Sequence, residues 1–441
     1  MKLIWRTSFG LVLALGLMAT TAAADTSLDN EVENYLAAND GSGGEPSSFR
    51  VFWKDGIKME SGDGNFTFHI RGRMFFDADW RDDDDDIDND DGVRNNHVGF
   101  KTIRLGAEGT MYKGVIYKLE VDFTDSDFDP DSSGSLVRLA DVYIGLANVF
   151  GGDLLFGHMK QGFSIGEMTS SRFTTFIARA AAVQAFAPSR NAGIQWFANF
   201  TSDKRLHMAV GVFNRTNTEG NVSGNGGTGF NFRIAGLAIE NTDKDMILEI
   251  GFSLLWQNLR KSGQEVFYLA RPGTSLGAPS IGTGGDAEDE LRWGFEIAFK
   301  IKAFHAQAEF YQVDASAIGG GSDPSYNGWY VQIGYFITGE SRSFSKKMMA
   351  WVRTHPKANF WTGEGGRGAH EIAFRYDMLD LSDTNDGEQT SYSFGWNWYW
   401  NGNARMMVNY VFTDLDNTGA LEGGATSGKL NAIIIRWQFD F

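Results

Sequence analysis

The stretch Leu430-Asn431-Ala432-Ile433-Ile434-Ile435-Arg436-Trp437-Gln438-Phe439-Asp440-Phe441 decides how the rest of the chain is read. Ile433, Ile435, Trp437, Phe439 and Phe441 share one parity, and Ile434, Arg436, Gln438 and Asp440 share the other. Successive strand residues point to opposite faces, so one face is aromatic and apolar and the other mostly polar. A strand of this kind that stops on an aromatic is expected to close an outer-membrane β-barrel, where one face meets lipid and the other meets water.

The same alternation recurs upstream. Phe66, Phe68, Ile70, Met74 and Phe76 alternate with Thr67, His69, Arg71, Arg73 and Asp77. Ile103, Leu105 and Ala107 alternate with Thr102, Arg104 and Glu108, and Tyr117, Leu119, Val121 and Phe123 with Lys118, Glu120, Asp122 and Thr124. Tyr392, Phe394, Trp396, Trp398 and Trp400 form an aromatic row, whereas the buried face of a soluble sandwich favours aliphatics. Short connections (112–114, 202–204, 401–403) alternate with long polar ones (78–98, 126–135, 161–191, 216–229, 258–290, 315–327, 414–428). That is the layout of hairpin turns on one side and outer loops on the other. The pattern predicts an all-β fold, a transmembrane antiparallel β-barrel of about sixteen strands. The segment 339–368 departs from it, being long and polar where a short turn is expected.

Residues 1–24 read as a secretory signal, with Lys2 and Arg6 before a short apolar core and Ala22-Ala23-Ala24 as the cleavage site. Residues 25–64 read as a polar periplasmic lead-in, partly disordered, with a short helix over Leu28 to Ala37, and 65–441 as the barrel. There are no cysteines, so disulfides contribute nothing. Aromatics at 14%, 54 Gly and only 7 Pro suit girdles and tight turns. Mean hydropathy of −0.27 looks soluble, as a barrel does when alternate residues face water. The formal charge of −17 argues against nucleic acid, which needs a basic face.

The acidic run Asp82 to Asp91 invites Ca²⁺, with Asp86, Asp88 and Asp90 as the first ligands. The glycine position of the Ca²⁺-loop template holds Asp91 instead, so a solvated outer loop is the preferred reading. Divalent ions bridging it to the head groups of outer-membrane lipid and lipopolysaccharide are the second. No other cofactor is expected. No His-pair zinc motif and no Gly-x-Ser-x-Gly elbow is present. The segment 161–191 is too long for a hairpin loop and apolar throughout; loops of this length are usually functional or disordered, and this composition disfavours disorder. It is expected to be a third outer loop folded into the barrel, with Lys160, Glu167, Arg172, Arg179 and Arg190 as constriction charges. Basic residues of the wet parity are His69, Arg71, Arg73, Arg104, Arg375 and Arg436; Arg matches anions geometrically. Glu108, Glu120, Asp122, Glu371, Asp377 and Asp440 share that parity, so an internally salt-bridged lumen is the alternative.

From about Trp53 to Phe441 the chain resembles the phosphate-selective porins, the O and P porins of Gram-negative bacteria. The resemblance is carried by Asp63-Gly64 before Phe68-His69-Ile70-Arg71-Gly72-Arg73, by Phe100-Lys101-Thr102-Ile103-Arg104-Leu105-Gly106 and by Thr169-Ser170-Ser171-Arg172. Gly328-Trp329-Tyr330-Val331-Gln332, Phe336-Ile337-Thr338-Gly339-Glu340, Glu371-Ile372-Ala373-Phe374-Arg375-Tyr376, Asn397-Trp398-Tyr399 and Asn409-Tyr410-Val411 extend it. It implies a sixteen-stranded homotrimeric channel of the cell outer membrane, with its third outer loop inward and an anion path lined by basic residues. Two departures stand out. Lys101 and Thr102 occupy places where the family pattern has two Arg, and Met168 occupies that of a Lys. Fewer cations make a weaker anion site, because dehydration must be offset by close charges.

The expected function is therefore a porin, a passive diffusion channel for small hydrophilic solutes with an anion or phosphate preference and no enzymatic activity. Its anion path is expected over Arg71, Arg73, Lys101, Arg104, Lys160 and Arg172, with His69, Arg375 and Arg436 as further lumen bases. The alternative is a surface adhesin or envelope scaffold barrel with incidental conductance. A barrel hydrolase is a third reading.

Overall fold

A computed structural model describes residues 49–83, 96–124, 137–216, 227–259, 266–276, 279–285, 287–317, 323–361, 365–416 and 427–441. Asp86, Asp88 and Asp90, the signal segment and most of the lead-in lie outside them. Val51–Glu60 and Gly64–Phe441 form one compact unit. Phe49, Arg50 and Ser61–Asp63 belong to a separate N-terminal one, within which the Ser61 hydroxyl donates to Asp63 Oδ1 at 2.6 Å.

Sixteen strands, β1 to β16, build the barrel. They are Thr67–Asp83, His97–Met111, Val115–Asp122, Arg138–Val149, Gly152–Lys160, Arg190–Asn199, Leu206–Asn214, Thr228–Asn241, Met246–Asn258, Ala287–Ile301, Phe304–Ala317, Ser325–Phe336, Ala369–Asp380, Glu388–Tyr399, Ala404–Asp416 and Gly428–Asp440. Each pairs antiparallel with the next, and β16 pairs with β1 from Leu430↔Asp83 to Asp440↔Arg73, closing the sheet. Closure satisfies every strand edge, which a lipid-facing sheet requires. Ile57 to Glu60 adds a short strand against the start of β1, from Ile57↔Ile70 to Glu60↔Thr67.

The alternation is physical. On β16, Ile433 and Phe439 are 47% and 42% exposed on the outside, while Ile434 and Arg436 between them are buried inside. The seat of Phe441 explains a glycine. Gly72 N donates to Phe441 O at 2.9 Å and Phe441 N to Gly72 O at 3.0 Å. A Cβ at Gly72 would lie 2.7 Å from the Phe441 ring, too close for any other residue.

Short connections join strands at one end of the barrel, the turn end, and long ones at the other, the loop end. Several strands run further than the sequence suggested. β1 continues to Asp83, β11 to Ala317, and part of the 258–290 connection is a hairpin of Val266–Ala270 with Ile281–Gly285. Ladder pairing continued past the hydrophobic stretches because backbone hydrogen bonds need no particular side chain.

Two segments fill much of the lumen. The first is 161–189, containing α1 (Ile165–Met168) and α2 (Ala181–Phe186). Its backbone is held by wall side chains. Ile165 N donates to Glu296 at 2.7 Å, Gly166 N to Glu309 at 3.1 Å, Ile177 N to Asn409 at 2.8 Å and Ala181 N to Asp377 at 3.1 Å. In return Arg405, Arg375 and Arg436 donate to the carbonyls of Thr174, Ala178 and Ile177. Hydrogen bonds to ionised partners are the stronger kind. A Cβ at Gly166 would meet Glu309 Oε2 at 2.4 Å and displace the carboxylate that accepts from Gly166 N. α2 packs Ala182, Val183 and Phe186 with Tyr268, Tyr326, Tyr330 and Leu379 into an apolar core inside the barrel.

The second is 337–368, the long connection at the turn end. It also enters the lumen. Arg233 donates to the carbonyls of Met348 (3.0 Å) and Met349 (2.7 Å), and Trp351 Nε1 donates to Gln307 at 2.7 Å. Arg342 stacks 4.2 Å over the Trp351 ring and donates to Phe173 O at 3.0 Å. The two segments meet at Arg342 and Phe173, and Lys347 of the second also reaches Asp153 on β5 at 3.0 Å.

Candidate functional site: a cation-rich passage

A cavity of about 930 Å³ lies between the 161–189 segment and the β1–β7 wall, with Gln257, Arg271, Arg292, Lys347 and Arg436 from other elements also lining it. Its lining carries fourteen Lys and Arg against five Asp and Glu, in a chain whose formal charge is −17. The basic residues are therefore concentrated by the fold and not by composition.

Barrel register places them. Arg73 faces Arg104 across β1 and β2, and the two share one carboxylate: Arg73 Nη2 lies 2.7 Å and Arg104 Nη1 3.5 Å from Glu120 Oε1. Arg104 Nε also reaches Asp122 at 2.7 Å. Asp141 is shared by Lys118 at 2.5 Å and Arg190 at 2.7 Å. Arg436 pairs with Asp77 at 2.6 Å. Most of the wall bases are thus anchored by carboxylates, as the salt-bridged alternative expected; these five cations face the four carboxylates Glu120, Asp122, Asp141 and Asp77, with the extra positive charge at the Lys118–Asp141–Arg190 cluster.

The 161–189 segment supplies the opposite side. Lys160 Nζ lies 3.0 Å from Glu167 Oε1 and Arg179 Nε 3.7 Å from Glu167 Oε2. Ser170, Ser171 and Arg172 line the cavity, and Arg73 Nη1 donates to Ser171 Oγ at 3.2 Å. Burial pushes the Glu167 carboxyl up, but Lys160 and Arg179 outweigh it and hold the group below the usual carboxylate range. Burial, reinforced by Arg71, draws the Arg172 guanidinium down to about 10, so it stays charged at neutral pH.

Lys101 reaches the passage through a β-bulge. Phe75 pairs with Thr102 and Phe76 with Phe100, so Lys101 has no partner in β1. The bulge re-aims its side chain to the cavity beside Thr102, although alternation alone gives it the outward parity of Ile103 and Leu105. Among the described residues no carboxylate lies within ion-pair distance of Lys101.

Of the expected bases, Arg73, Lys101, Arg104, Lys160, Arg172 and Arg436 line the cavity. Arg71 and His69 lie at the turn end on Glu108, with His69 Nε2 3.1 Å from Asp55 O, away from it. Arg375 is buried beneath the 161–189 segment, 3.0 Å from Asp377. Sequence reading did not single out Lys118, Arg138, Arg215 or Arg271 as lining bases. Lys118 was visible by parity with Glu120; Arg215 and Arg271 sit in connections, where parity carries no signal.

A family model described as "Phosphate-selective porin O and P" matches residues 69–441. The chain belongs to this family. It is a porin of the Gram-negative outer membrane, so the turn end is periplasmic and the loop end extracellular. It is 27% identical to an uncharacterised protein of Caulobacter vibrioides over 89% of this chain and 77% of that one. It is 23% identical to Porin O of Pseudomonas aeruginosa over 82% of this chain and 86% of that one. Among solved structures, the in-vitro folded trimer form of OmpT, an outer membrane protein of Vibrio cholerae, shares the barrel with a TM-score of 0.52 at 12% identity. That match covers 85% of this porin and 99% of OmpT.

Proposed function

We propose that this porin is a passive channel with an anion preference, its solutes moving between the inward 161–189 segment and the β1–β7 wall. The observation that supports this is the fourteen-to-five excess of basic over acidic residues along that cavity. Charged rings and ladders filter by sign. Lys101, without a described carboxylate partner, and Lys118 and Arg190, which share Asp141, are where a passing anion gains most. Inorganic phosphate and small organic anions are the solutes, and passage requires no bond making or breaking. A homotrimer in lipid and lipopolysaccharide is the assembly, by likeness to OmpT in its trimer form. The test is the reversal potential of single channels in a KCl gradient: chloride selectivity is expected, and a cation-selective potential would refute the preference.

A further inference from the structure

The passage is not polar throughout. Inward positions of β3 to β6 carry Ile116, Tyr143, Leu155, Met159 and Phe197, which pack with Phe213 into one apolar cluster. The first five line the same cavity as the basic residues. A water-filled lumen would be expected to show polar residues at these positions.

The neighbouring inward positions are glycines, and they shape the patch. A Cβ at Gly145 would lie 2.4 Å from Leu155 Cδ2, one at Gly157 3.0 Å from Tyr143 Cβ, and one at Gly193 2.5 Å from Phe213 Cδ1. The apolar side chains therefore lie flat on bare backbone and do not project across the lumen. They make a smooth wall strip that leaves the cavity clear.

The strip adjoins cations. Lys118 is two residues from Ile116, Lys160 follows Met159, and Arg190 pairs with Lys160 across β5 and β6. Apolar surface facing water is unfavourable and is relieved when a solute covers it. A solute that offers a negative head and a greasy body fits both features at once, whereas a bare inorganic ion uses only one.

Resting on the proposed anion channel, we infer that the preferred solutes are organic anions with an apolar body, such as aryl or alkyl phosphomonoesters and carboxylates. The head is held by the basic residues and the body slides on the Ile116–Tyr143–Leu155–Phe197 strip.

The test compares methyl phosphate with phenyl phosphate, both dianions at pH 8, as blockers of chloride current through the purified porin in planar bilayers. Phenyl phosphate is expected to half-block at about tenfold lower concentration, equivalent to ~1.4 kcal/mol. In Phe197→Ser, and separately in Ile116→Ser, the ratio is expected to fall towards one. Equal half-blocking by the two esters in the unaltered porin would overturn the inference and leave the anion channel standing. So would a ratio unchanged in both variants. Block by neither ester together with a cation-selective reversal potential would overturn both.

Discussion

Replacing Glu167 by Gln removes the carboxylate that sits between Lys160 and Arg179 on the lumen side of the passage. The loop should keep its seat. Lys160 Nζ also donates to Glu167 O at 2.5 Å, and Arg179 donates to Gly166 O and Thr169 O, both at 2.8 Å. Those backbone contacts survive the substitution. An anion passing at about 7 Å from Glu167 is repelled by about 0.6 kcal/mol in bulk water and about 2.4 kcal/mol at an effective dielectric of about 20. A cation loses an equal attraction. Even the lower figure, counted for both ions, raises the anion-to-cation permeability ratio about sevenfold. Reversal potentials of Glu167→Gln and the unaltered porin in the same KCl gradient measure this. An unchanged ratio, or a shift towards cations, would show that ions do not pass Glu167.

Lowering the pH should act in the same direction. Ionised Glu167 contributes to the seated loop above its ordinary value of 4.5, and because its folded-state value is lower, that charge is lost only as pH falls below 4.5. Loss of the Glu167 charge should therefore add to anion preference as pH falls below 4.5, measured as the reversal potential against pH. Lys101→Gln should lower anion preference while changing stability by no more than about 0.5 kcal/mol, since no described carboxylate depends on Lys101. Arg73→Gln leaves buried Glu120 with only the longer contacts to Arg104 (3.5 Å) and Lys118 (3.7 Å) and should cost about 1–3 kcal/mol, read as a lower unfolding midpoint in detergent. Gly72→Leu drives a side chain into the Phe441 ring and should cost about 1–3 kcal/mol, seen as less folded, heat-modifiable barrel on gels.

The barrel was legible because hydrocarbon and water sort side chains by parity, and parity can be read residue by residue. Ile433 and Arg436 stand on the faces their parity dictates. The 161–189 segment was legible from its length and its apolar content, since residues such as Phe176 and Ile177 need cover. Four features were not. The 337–368 connection buries Met349 and Trp351 in the lumen, but an irregular segment has no period to betray this. The pairing of Arg73 with Glu120 and Lys118 with Asp141 depends on strand register, which a single chain does not announce. The re-aiming of Lys101 depends on one extra residue in β2, and the apolar strip on β3 to β6 breaks the polar-inside rule that parity assumes.

The absence of cysteine allows the most direct test, single-cysteine accessibility. Ser171→Cys lies on the passage and Ser391→Cys on the buried inner wall of β14. If solutes move between the inward segment and the β1–β7 wall, a negatively charged methanethiosulfonate should cut the current of Ser171→Cys in steps and leave Ser391→Cys untouched. Block at Ser391→Cys with none at Ser171→Cys would place the conducting route on the other side of the lumen.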